Sequence, residues 1–79
     1  MVQLDIKKLE ERRIAEGLPK YRMSEIAGSR RDGLYFDLLK HDGWMRNWQY
    51  VTNFVKWYGN RDIILKLHRK RGINRGSVV

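Results

Sequence analysis

Seventy-nine residues make one small domain, and a domain of that size hides only about 60% of the surface its unfolded chain exposes. With no cysteine, disulfides and thiolate metal sites are excluded, so three Trp, four Tyr, two Phe and the aliphatic side chains have to supply the core. Seventeen Lys and Arg against nine Asp and Glu leave a net charge of +8 and a pI near 10.2, a balance that favours polyanionic partners.

Taken in chain order, the first predicted helix covers about Asp5 to Glu16, with Ile6, Leu9 and either Ile14 or the stem of Arg13 facing inwards. Gly17 suits its C-terminal stop, and Pro19 fits the opening of a second helix over 20–27 that presents Met23, Ile26 and Ala27. Gly28 then supplies the positive φ of a sharp turn. A third helix follows within one or two residues, over about 30–40, with Leu34, Leu38 and Leu39 at helical spacing and Ser29 or Asp32 as its cap. The clearest periodicity is Trp48, Val51, Phe54, Val55 and Tyr58, an amphipathic fourth helix stopped by Gly59. Asn60 is placed to cap a fifth helix through Ile63, Ile64 and Leu67 to about Gly72, and residues 73–79 read as a flexible basic tail.

The first twenty residues alternate charged and apolar side chains, without an apolar run of signal-peptide length, and no stretch is long enough to span a bilayer. A cytoplasmic protein with no membrane partner is therefore expected. Charge accumulates along the chain: residues 62–79 hold Lys66, Arg69, Lys70, Arg71 and Arg75 against Asp62. His41 and His68 lie outside any zinc-ligand spacing, and no Ser-His-acid, phosphate-loop or dinucleotide pattern occurs. Neither an enzyme nor a cofactor is expected.

The informative run is Gly17-Leu18-Pro19-Lys20-Tyr21-Arg22-Met23-Ser24-Glu25-Ile26-Ala27-Gly28-Ser29-Arg30-Arg31, followed by Leu34. It resembles the lambda-repressor/Cro-like helix-turn-helix family: a Gly-Leu closes the first helix, and Met23, Ala27 and Gly28 occupy the second-helix positions. Arg13 matches the family's first-helix arginine, and Trp48, Val51, Phe54, Val55, Tyr58 and Gly59 match its fourth helix. Ser29, Pro19, Asp37 and the longer loop from Lys40 to Arg46 depart from the pattern. The resemblance implies an all-α, compact five-helix lambda-repressor-like domain over residues 1–72, with the recognition helix at about 30–40.

It also implies a function. The major groove of B-DNA admits one α-helix whose leading side chains reach base edges. Arg30 and Arg31 are the first candidates for base reading, since a guanidinium bonds guanine O6 and N7 in bidentate fashion. Asp32 either accepts from cytosine N4 or caps the helix. Tyr35 either touches a thymine methyl or phosphate or packs with the core, of which Phe36 is the stronger candidate member. Gly33 serves close approach to DNA or a plain turn.

Phosphate contacts implied by the resemblance fall on Lys20 and Tyr21 at one helix start and Arg46 and Asn47 at another, with Lys40 in the loop between. Trp44 in that loop covers the core edge, meets a dimer partner or lies along the sugar-phosphate backbone. Arg69, Lys70 and Arg71 either complement a helix C-terminus or track the DNA backbone. The expectation is a small phage- or plasmid-type transcriptional regulator, binding double-stranded DNA as a homodimer on a palindromic operator and acting as a repressor without a small-molecule effector. The alternative is a helical protein-interaction module, an antirepressor or an inhibitor of host machinery.

Overall fold

A computed structural model describes residues 1–67. Strand β1 (Val2–Leu4) leads into helices α1 (Ile6–Ala15), α2 (Lys20–Ala27) and α3 (Leu34–Lys40). Strand β2 (Trp44–Met45), helix α4 (Trp48–Tyr58), a 3-10 turn (Arg61–Ile63) and strand β3 (Ile64–Leu67) follow. The strands form one antiparallel sheet in the order β2-β1-β3, with Val2 opposite Met45 and Leu67 and Gln3 opposite Trp44 and Lys66. This overturns the all-α, five-helix lambda-repressor-like expectation: the described residues form a mixed domain of four α-helices and a three-stranded sheet.

The difference lies at the two ends of the described chain and in the segment after α3, where Trp44–Met45 pairs with β1 in place of a plain loop. Asn60 does act as a cap, its Oδ1 accepting from the Asp62 N–H at 2.8 Å, but for a single 3-10 turn. The chain then runs extended beside β1, where the backbone groups of Ile64–Leu67 find partners that a local apolar pattern does not reveal. The remainder of the expected fifth helix and the tail over 73–79 lie outside the described residues.

The helices end by one device. In α1, α2 and α3 two successive residues at the helix end donate back to the last turn: Gly17 to Ile14 and Leu18 to Arg13, Gly28 to Glu25 and Ser29 to Ser24, Asp42 to Leu39 and Gly43 to Leu38. Gly43 is constrained further. Its φ is +90°, and a Cβ there would stand 2.2 Å from the carbonyl oxygen of Leu4, because the turn after α3 presses against β1 and its carbonyl accepts from the Leu4 N–H at 2.8 Å.

The sheet and helices close on a core in which Val2 and Leu4 of β1, Leu9 of α1, Met23 and Ala27 of α2 and Phe54 of α4 have no exposed surface. Of the two side chains offered for the inner face of α1, Arg13 is part-buried and Ile14 is 65% exposed. In α4 the expected face is inward at Val51 and Phe54, while Trp48 at its start is half exposed. Among the described residues no helix is long and apolar enough to cross a membrane.

Candidate nucleic-acid interface

The predicted site is built on α2 and α3. Six residues, 28–33, connect them instead of one or two, so the helix expected over about 30–40 begins at Leu34. The cause is local. Ser29 Oγ accepts from the Arg31 N–H at 3.0 Å, a side-chain turn that competes with helix formation. Asp32 supplies no cap: its side chain is exposed, and Gly33 stands at the cap position without a side-chain bond.

One hydroxyl fixes this connection. Ser24 has no exposed surface, and its Oγ donates to the Asp32 carbonyl at 2.9 Å while accepting from the Tyr35 N–H at 3.0 Å. Its own carbonyl accepts from the Ser29 N–H at 3.0 Å, so Ser24 holds both ends of the turn. At Gly28 the backbone is left-handed, and a Cβ would come within 2.9 Å of the Asn53 amide nitrogen, which reaches from α4 to the Ala27 carbonyl at 2.7 Å.

Helix α3 is fixed from the other side by α1. The Tyr35 hydroxyl donates to Glu10, whose carboxylate receives Arg13 in bidentate fashion at 2.7 and 2.9 Å, and Arg13 also donates to the Leu18 carbonyl at 2.7 Å. Arg13 first, and the Tyr35 hydroxyl with it, hold the Glu10 carboxyl below its ordinary range despite partial burial. Burial, followed by the bond to Glu10, pushes the Tyr35 phenol up. This network ties α3 to α1.

Of the two places open to Tyr35 it takes the packed one, whereas Phe36, expected in the core, lies outside it. Tyr35 is wholly buried, its ring 6.3 Å from that of Phe54, so no part of it is available to a base edge. Phe36 is 49% exposed, with the Lys20 Nζ 5.8 Å from its ring centroid. Arg30 is exposed in the turn, and Arg31 reaches across to the Asp37 carboxylate of α3 at 3.1 Å, both side chains being exposed. Tyr21 beside Lys20 and Lys40 at the end of α3 are exposed as well. Along α2 and α3, Lys20 thus pairs with Phe36 and Arg31 with Asp37, while Arg30 and Lys40 are exposed nearby in the sequence.

Arg46 and Asn47 lie elsewhere, between β2 and α4. Arg46 is exposed, whereas Asn47 Oδ1 accepts from the Gln49 and Tyr50 N–H groups at 2.9 and 3.2 Å, so the leading amides of α4 are already engaged. Trp44 is half-buried in β2, opposite Gln3. Arg69, Lys70 and Arg71 fall outside the described residues. Two residues of this face are not visible as such in the sequence. Ser24 gives one signal, a small hydroxyl within the apolar face of α2, whereas Phe36 gives none that distinguishes it from its neighbour. Among the described residues no group of three His, Cys, Asp or Glu side chains is placed to hold a metal ion. No family model, no curated protein and no solved structure matches the chain.

Proposed function

We propose that the chain binds double-stranded DNA through the α2–α3 face and acts in the cytoplasm as a small transcriptional regulator, a repressor occupying a palindromic operator as a homodimer. The observation that carries this reading is the pinned connection: Ser24 fixes a turn that exposes Arg30 and Arg31 beside α3, with Lys20 at the start of α2. In a helix-turn-helix reader the leading residues of the second helix reach base edges while the preceding helix meets the backbone, and Arg30 and Arg31 stand in the turn that leads into α3. A net charge of +8 supplies the long-range attraction. The likeness to lambda-repressor/Cro-like proteins is kept for this helix pair alone, not for the rest of the fold.

Selection of bound sequences from a random duplex pool tests the proposal. Half-sites enriched about one helical turn apart are the expected result. A second reading has its own support: Leu65 and Leu67 of β3 are 53% and 50% exposed, which suits a protein partner. A pool that returns no preferred sequence favours that reading and removes the first.

A further inference from the structure

Helix α3 turns Leu34, Tyr35 and Leu38 into the core and leaves Gly33, Phe36 and Lys40 along an exposed stripe at helical spacing. The half-exposed ring of Phe36 offers apolar surface that an apolar group of a ligand can cover. Its surroundings limit what that can be. Lys20 stands over the ring at 5.8 Å, Lys40 follows one turn on, and Arg31 lies across the adjacent Asp37. An apolar partner surface would leave Lys20 and Lys40 beside it without counter-charge, whereas duplex DNA offers phosphate rails on both sides of a groove. On the floor of that major groove the apolar group is the 5-methyl of thymine.

Gly33 adds a second observation. Its φ of −80° is open to any residue, and a Cβ there would meet nothing within 4 Å. The fold therefore does not require glycine at the leading edge of the stripe, but a closely approaching ligand would.

We infer that Phe36 is the apolar base-reading residue of this face, covering the methyl group of a thymine in the major groove; the inference rests on the DNA-binding reading above. It assigns the specificity of α3 to a contact that Arg30 and Arg31 cannot make, because a guanidinium recognises guanine acceptors rather than a methyl group.

The test uses the full chain and the selected operator duplex, with each thymine of a half-site replaced singly by uracil, which removes only the methyl. At one position uracil should weaken binding by the unaltered protein about fourfold, the worth of one buried methyl group. In Phe36→Ala the same replacement should change affinity less than about twofold, and Phe36→Leu should keep part of the discrimination. Phe36 is outside the core, so both variants should melt near the parent temperature. An enriched half-site without thymine, or a uracil effect of equal size in Phe36→Ala and the parent, overturns the inference while leaving the DNA-binding reading intact. Failure of the unaltered chain to bind any duplex overturns both.

Discussion

The Ser24 hydroxyl joins stability to recognition in a single group. It satisfies a donor at the start of α3 that is sealed from water and an acceptor in the turn that is part-buried. Replacing serine by alanine removes both bonds and leaves the Tyr35 N–H without its partner, a loss of about 1 to 3 kcal/mol for a buried polar group. Ser24→Ala should therefore lower unfolding stability in denaturant titrations by that amount, and unchanged stability would show that water replaces the hydroxyl. The burial of Tyr35 rather than Phe36 belongs to this scale too. Both are large, adjacent and equally compatible with a helical stripe, and what selects Tyr35 for the interior is Glu10 on another helix, ready to accept its hydroxyl. Periodicity along α3 carries no information about that partner.

Among the elements, β1 makes the sharpest distinction between the expected and observed architectures. In the all-helical reading residues before Asp5 belong to no helix, and trimming Leu4 breaks no element. Here Leu4 lies in the central strand with no exposed surface, between the Gly43 turn and Ile64 of β3. Leu4→Ala should destabilise the domain by about 2 to 5 kcal/mol, read from thermal or denaturant unfolding; a change below about 0.5 kcal/mol would mean that β1 is not part of the core. The helices are legible in the sequence because each carries apolar residues at three- and four-residue intervals and meets a stop. The α2 range agrees at both ends, and α4 is the segment around Trp48 to Tyr58 that its periodicity marks. The strands are not legible. Val2–Leu4 and Trp44–Met45 are too short to show alternation, and Ile63, Ile64 and Leu67 fit a helical face as well as a strand. Their state is decided by pairing across the length of the described chain, which no local window contains.

For the whole molecule, the basic excess has two locations with different consequences if the chain reads DNA. Arg30 and Arg31 are carried on the fixed α2–α3 turn, where geometry can select a base; Arg69, Lys70, Arg71 and Arg75 follow β3 in the sequence, where charge density is the salient property. Neutralising about six phosphates gives a log-log slope of affinity against salt of roughly −5. Replacing Arg69, Lys70 and Arg71 by glutamine should reduce the magnitude of that slope by about one unit for each phosphate no longer neutralised, and should weaken operator and random duplex by similar factors. Arg30→Ala and Arg31→Ala should divide otherwise. At least one should weaken operator binding by about 1 to 3 kcal/mol and random DNA little, because a bidentate bond to guanine exists only where guanine stands. Asp37 sharpens the contrast, since its carboxylate holds Arg31 in place and should make Arg31 the more selective of the two. Affinities for both duplexes at several salt concentrations decide between these outcomes: failure of discrimination in the Arg69, Lys70 and Arg71 variant, with both single arginine variants retaining it, would move sequence reading away from α2–α3 to the basic segment after β3.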